Sequence, residues 1–203
     1  MTLSTDLPFS PACERNKTPI LSVISECLSG AKTVLEIGSG TAQHAIHFGL
    51  ACPQLHWQTS DQACYLDGIR AQLNHANVKN VAYPIELDVN QEQWLSNEQH
   101  FDVVYSANTL HIMSDADVAA FFQGLSQVST VGSYLIVYGP FKYQGRFTSA
   151  SNAEFDLSLR SRGCGSLIKE FDDVNALAQK QGFELVRDQS MPANNQCVFW
   201  QRV

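Results

Sequence analysis

Basic residues are scarce. The 203-residue chain has 13 Lys and Arg against 20 Asp and Glu, a formal net charge of -7. With a sequence pI near 5.2, no overall positive field draws it to phosphate backbones or anionic lipid, so general nucleic-acid and membrane-surface binding are set aside. The densest basic candidate, around Arg160 and Arg162, is flanked by Asp156 and Glu170. Long apolar runs are missing too, and nothing approaches the roughly eighteen consecutive apolar residues of a membrane span. The opening residues, Met1 to Pro11, have neither the basic start nor the apolar stretch of a secretion signal. A soluble, cytoplasmic protein is expected. Cys13, Cys27, Cys52, Cys64, Cys164 and Cys197 form no C-x-x-C pair and no zinc-like spacing, so reduced thiols are expected and no metal. His44 and His47 lack a third ligand at a usable spacing.

What is present is enough apolar material, 44% of residues, for one sizeable core, and the chain reads as a single domain over residues 1–203. Between Thr33 and Tyr138, short β-branched or aromatic runs alternate with segments of helical periodicity, the pattern of a parallel sheet with helices on its faces. Strands are expected at Thr33 to Ile37, His56 to Ser60, Val81 to Pro84, Phe101 to Ser106 and Ser133 to Tyr138. Ala42, Ala45, Ile46, Gly49 and Leu50 form one helical stripe between the first two. Ser114 or Asp115 can cap a helix to about Val128, and Phe171, Val174, Leu177 and Ala178 mark another. Phe183 to Arg187 and Cys197 to Arg202 read as an antiparallel hairpin, because Met191 to Asn195 is too short for a crossover. Before the first strand, Phe9 to Leu28 holds Pro19 where it could open a helix. Phe141 to Gly165, polar and with a short helix near Ala153 to Leu159, is longer than a plain connection and reads as an insertion or lid over 141–165.

The chemistry gathers at Glu36-Ile37-Gly38-Ser39-Gly40-Thr41-Ala42, which follows a strand and opens a helix. Glycines there let a ligand come close to main-chain N–H groups. A dinucleotide fold wants a third glycine where Gln43 stands. S-adenosylmethionine carries no pyrophosphate but does carry an amino acid and a ribose, and suits this turn better. Asp61 ends the second strand and is placed for both ribose hydroxyls. Asp88 ends Ile85-Glu86-Leu87-Asp88 at the same sheet edge, where adenine should lie.

An acidic residue before G-x-G, then another after the second strand, resembles the class I S-adenosylmethionine-dependent methyltransferases. The resemblance implies a Rossmann-like α/β fold: a mostly parallel seven-stranded sheet, helices on both faces and a C-terminal antiparallel hairpin. It implies Glu36, Gly38, Ser39 and Gly40 around the methionine moiety, Asp61 with Gln62 at the ribose, and Asp88 with Val89 near the adenine. Ala42 departs from the pattern, since many members carry a third glycine there. The chain is also similar, nearly throughout, to a small family of uncharacterised methyltransferase-like proteins. That likeness rests on Phe9-Ser10-Pro11-Ala12-Cys13-Glu14-Arg15-Asn16-Lys17, Ser106-Ala107-Asn108-Thr109-Leu110-His111-Ile112, Tyr138-Gly139-Pro140-Phe141, Thr148-Ser149-Ala150-Ser151-Asn152 and Pro192-Ala193-Asn194-Asn195.

Methyl transfer asks mainly for an acceptor held in line. If a base is used, His111 is the candidate, since its unperturbed pKa suits neutral pH. Ala107 and Asn108 are expected to hold the cofactor's amino group through backbone carbonyls. Arg15 is expected to pair with its carboxylate from a covering segment at residues 1–30. Tyr138, Asn152, Asp156, Arg160, Asn194 and Asn195 are expected near the acceptor, a small molecule in preference to a protein or nucleic acid, with S-adenosylhomocysteine as product. Two alternatives stand beside this: a non-catalytic cofactor-binding module, and a nicotinamide-dependent short-chain reductase suggested by Tyr138-x-x-x-Lys142, which Gly139 and Pro140 argue against. An exposed Phe199 or Trp200 on an edge strand would support a dimer.

Overall fold

A computed structural model describes residues 7–95 and 99–203. The start of the covering segment, residues 1–6, lies outside them. The chain opens on helix α1 (Pro11–Ser29) and strand β1 (Thr33–Ile37), followed by α2 (Gln43–Ala51), β2 (His56–Asp61), α3 (Leu66–Ala76) and β3 (Val81–Glu86). Then come β4 (Val103–Ala107), α4 (Asp115–Val128) and β5 (Tyr134–Gly139). A small sheet of β6 (Phe141–Tyr143), β7 (Arg146–Phe147) and β8 (Lys169–Glu170) brackets α5 (Ala150–Arg160). The chain closes with α6 (Phe171–Lys180), β9 (Phe183–Met191) and β10 (Asn195–Arg202).

The seven-stranded sheet has the order β3-β2-β1-β4-β5-β10-β9. Pairings from β3 to β5 are parallel, and β10 pairs antiparallel with both β5 and β9. The hairpin and the parallel core are therefore as the sequence pattern indicates. The order reverses between β1 and β4, which makes a crevice at their carboxyl ends. Central strands are buried on both faces, as a helix-covered sheet requires. On one face Ile20, Ile24, Phe48, Ile69 and Leu73 pack over Trp57 and Tyr105. On the other, Phe121, Phe122, Leu125, Val174 and Ala178 cover Val104, Leu135 and Trp200.

Several local expectations shift. Pro19 lies inside α1 and does not open it. The helix starts eight residues earlier, because the Ser10 side chain accepts the Cys13 N–H and Pro11 takes the first turn, where its missing donor costs nothing. The stripe of α2 is rotated: His44, Ala45, Phe48 and Gly49 are buried while Leu50 is exposed, since the Phe48 ring packs edge-on against Trp57 and Tyr105. Phe199 and Trp200 are fully buried, because β10 is interior and β9 is the edge. They give no dimer surface. The strand read as ending at Pro84 runs on to Glu86; an edge strand tolerates the proline at a register shift opposite Gln58 and Ser60. Pattern reading also passed over α3, although Leu66, Ile69 and Leu73 carry its buried stripe. The segment 141–165 is mostly ordered strand and helix, with α5 longer than the short helix expected there.

Ala42 is the N-cap of α2. It sits at φ 57, in the left-handed region, with its methyl fully buried. Left-handed backbone costs an alanine about 1 kcal/mol, while a buried methyl contributes about 0.8 kcal/mol. Ala42→Gly is expected to leave the unfolding free energy within about 1 kcal/mol of wild type in urea titration. A larger change in either direction would break this balance.

Candidate functional site

The glycine turn is pinned by hydroxyls from both neighbouring strands. Ser60 Oγ donates to the Glu36 carbonyl at 2.6 Å and Ser106 Oγ to the Ile37 carbonyl at 2.9 Å. The N–H groups of Gly38 and Ser39 both donate to the Ser60 carbonyl. Gly38 has φ +78, and a Cβ there would meet Thr109 Oγ1 at 2.7 Å, so β4's exit crosses directly over it. Gly40 has φ +56 with nothing within 4 Å of where a Cβ would sit. Its open side belongs to a cleft of about 350 Å³ at the carboxyl ends of β1, β2 and β4.

Of the expected cofactor residues, Gly38, Ser39, Gly40, Asp61, Gln62, Val89, Ala107 and Asn108 line this cleft. Asp61 Oδ2 accepts the Gly40 N–H at 2.7 Å and Oδ1 the Gln62 N–H at 2.8 Å. Burial pushes its carboxyl up and those two amides pull it back. Asn108 has a left-handed backbone, φ 59, and its N–H donates to the Tyr138 carbonyl at 2.8 Å.

Three others stand away from the cleft wall. Glu36 is buried behind the turn, its Oε2 accepting from Ser39 Oγ at 2.9 Å and Trp57 Nε1 at 3.2 Å. Burial pushes its carboxyl up to about 7. Asp88 Oδ1 accepts the Asn90 N–H at 3.0 Å, which shapes the turn after β3. Arg15 is exposed on α1. The cleft is lined instead by α1's Ser10 and Cys13.

The expected acceptor residues are drawn into structure. Asn152 Nδ2 donates to Thr148 Oγ1 at 2.8 Å and to the Asn194 carbonyl at 2.9 Å, tying α5 to the β9-β10 bend. Asp156 accepts from the Ile168 N–H and from Arg160 Nε. Asn195 Nδ2 donates to the Pro192 and Ala193 carbonyls. Tyr138 is 2% exposed, its phenol pushed up by burial and faced by Asn16 and Asn195. Lys142 Nζ lies over the Phe147 ring, and Tyr138 and Lys142 sit on separate strands, without the helical spacing a short-chain reductase uses.

His111 is corrected in one respect. Its ring does not titrate near neutrality: burial, with Arg162 and Lys169 nearby, lowers it to about 4. It packs edge-on to Phe155 and is absent from the cleft wall.

Sequence reasoning missed His44, Tyr65, Ile112 and Asp117, all of which line the cleft. For His44 the signal was available, an i, i+4 partner to Phe48 on the buried side of α2. Its Nε2 is 2.7 Å from Asn16 Oδ1 and its Nδ1 3.4 Å from the Tyr105 hydroxyl. Burial lowers the ring to about 4. It is therefore neutral, with Nε2–H donating to Asn16 and Nδ1 accepting from Tyr105. Among the described residues, no group of three or more His, Cys, Asp or Glu has the placement of a metal site. No helix of the described residues is long and apolar enough to cross a membrane.

This arrangement of sheet and cleft is the class I methyltransferase fold. An O-methyltransferase family protein from Burkholderia thailandensis superposes with a TM-score of 0.80 at 19% identity, over 94% of this chain and 57% of that one. Human N-acetylserotonin methyltransferase, in complex with S-adenosylmethionine, superposes at 0.79 with 12% identity, over 94% of this chain and 52% of that one. An O-methyltransferase family 2 protein from Planctomyces limnophilus, in complex with apigenin, gives 0.74 at 12% identity, over 86% and 51%. The chain thus spans just over half the length of these proteins. A family model described as "Protein of unknown function (DUF938)" matches residues 7–202, and the chain belongs to that family.

Proposed function

We propose that the protein binds S-adenosylmethionine in the β1-β2-β4 cleft and transfers its methyl group to a small-molecule acceptor. One observation carries this reading. The cleft joins a glycine turn to a carboxylate at the end of β2, and among the described residues that line it there is no Lys or Arg. A dinucleotide's pyrophosphate sits on a helix start that a third glycine lets pack closely, and Gln43 stands at that position, whereas the cationic sulfonium is favoured by the acids on the wall, Asp61 and Asp117.

The residues fit the cofactor. The open space over Gly40 accommodates its amino-acid end, and the Asp61 carboxylate suits two ribose hydroxyls. Val89, Ile112 and Met113 offer apolar surface for adenine. The backbone carbonyls of Ala107 and Asn108 would take its amino group, leaving Arg15 outside. When bound, the sulfonium supplies an activated methyl carbon. This chain's own residues hold the acceptor in line and exclude water. No proton transfer is assigned to His111.

Titration calorimetry tests the reading. S-adenosylhomocysteine is expected to bind, and NADH at the same concentrations to give no heat. The reverse result would replace the methyltransferase reading with a reductase.

A further inference from the structure

Ribose carries its base at one carbon and the sulfur-bearing chain at another, across the ring from it. With the amino-acid end over Gly40 and the hydroxyls at Asp61, the base falls beyond Asp61, towards the end of β3. There Val89 and Asn90 meet Ile112, Met113 and Asp117, which come from the β4-α4 connection and the first turn of α4. Apolar side chains cover the faces of a purine, but adenine also has a polar edge, and its 6-amino group has hydrogens to donate. Taken out of water without an acceptor, that amino group costs binding energy.

The turn after β3 and the first turn of α4 each bring one polar side chain to this end, Asn90 and Asp117. They are bonded to each other: Asn90 Nδ2 donates to Asp117 Oδ1 at 2.9 Å. The same nitrogen lies 3.3 Å from Asp88 Oδ1, which also accepts the Asn90 N–H at 3.0 Å. A carboxamide has two N–H donors at one end and an oxygen at the other. Both donors of Asn90 are spent on acid side chains, and the reverse orientation would set its oxygen against two acids. The carboxamide is therefore held one way round. Among the described residues its Oδ1 takes no hydrogen bond, and Asn90 is an exposed residue of the cleft wall, so a ligand can reach it. Asp117 has less to offer. Its Oδ2 accepts the Ser114 N–H at 3.0 Å and Ser114 Oγ at 2.8 Å in the capping box of α4, and its Oδ1 faces Asn90.

We infer that Asn90 reads the adenine of the methyl donor, its carboxamide oxygen accepting a hydrogen bond from the 6-amino group while Asp88 and Asp117 hold the carboxamide that way round. Asn90 touches the cofactor, and the two acids are positioning residues. This rests on the methyl-donor reading of the cleft.

The test compares, by calorimetry, S-adenosylhomocysteine with an analogue carrying hydrogen in place of the 6-amino group. The wild-type protein is expected to bind the amino form roughly five- to tenfold more tightly, the worth of one hydrogen bond. Asn90→Ala is expected to bring the two ligands within about twofold of each other. Loosening of the turn weakens both ligands alike, so their ratio reads contact with the amino group and not the shape of the turn. Asp117→Ala, which leaves the carboxamide freer to rotate, is expected to give an intermediate ratio. A wild-type protein that binds both ligands equally overturns the inference. So does a ratio that survives in Asn90→Ala, and if Asp117→Ala then loses it, the amino group belongs to Asp117. A wild-type protein that binds neither ligand removes the methyl-donor reading itself, and the role of Asn90 with it.

Discussion

Asp61→Ala is expected to abolish the rise in melting temperature that S-adenosylhomocysteine gives the wild-type protein. A ligand present at a hundred times its Kd stabilises a fold by about 2.7 kcal/mol, which for a chain this size is on the order of 8 °C. Two ribose hydroxyls donating to one carboxylate contribute about 1.5 to 3 kcal/mol each, so losing both weakens binding by roughly a hundredfold or more. The carboxylate also holds the Gly40 and Gln62 amides, and its removal is felt by the turn. Melting without ligand separates the two effects. The unliganded variant should melt close to wild type, because water reaches the cleft and can replace those contacts. An undiminished ligand shift in Asp61→Ala would remove Asp61 from the cofactor site.

Legibility divides along physical lines. The parallel core, the turn and the hairpin were readable, because strand alternation and glycine placement are local consequences of sequence. What faces the cleft was harder. Glu36 and Asp61 lie at the ends of strands and Asp88 just beyond one, yet of the three Asp61 alone lines the pocket, since Trp57 and Ser39 draw Glu36 behind the turn and Asn90 turns Asp88 on itself. Trp57 comes from another strand, and spacing carries no trace of it, while Ser39 and Asn90 are local partners three and two residues along the chain. The contribution of α1 was half visible: its polar segment stood out, but Ser10 and Cys13 face the cleft while Arg15 does not. That choice is made by Ser10 capping the helix and by Gln43 fastening it. Charge state was the least legible of all. His111 looks like a neutral-pH base in sequence and is a buried uncharged ring in the fold.

The burial of Glu36 leads to the second large effect. A carboxyl whose folded pKa is raised binds its proton more tightly folded than unfolded. Between the ordinary glutamate value, about 4.3, and the folded value of about 7, the native state therefore holds the extra proton, and stability falls as pH rises through that window. Above it, the whole cost of a buried carboxylate is borne by the fold, on the order of 3 kcal/mol. Glu36→Gln keeps an acceptor for Ser39 Oγ and Trp57 Nε1 and never ionises. It is expected to melt on the order of 10 °C above wild type at pH 8.5, and to converge with it near pH 4.5.

His44 and His111, both lowered to about 4, act with the opposite sign. Unfolded, they take up protons below about 6.5; folded, they do not, so they remove stability as pH falls from there towards 4. In the wild type one buried acid offsets part of what two buried histidines lose. In Glu36→Gln that offset is gone, and its melting temperature should fall more steeply, on the order of twice, between pH 6 and 5. Melting curves of the two proteins from pH 4.5 to 8.5 measure both effects at once. Parallel profiles would mean that Glu36 is ionised throughout this range and that Trp57 and Ser39 hold a carboxylate behind the glycine turn.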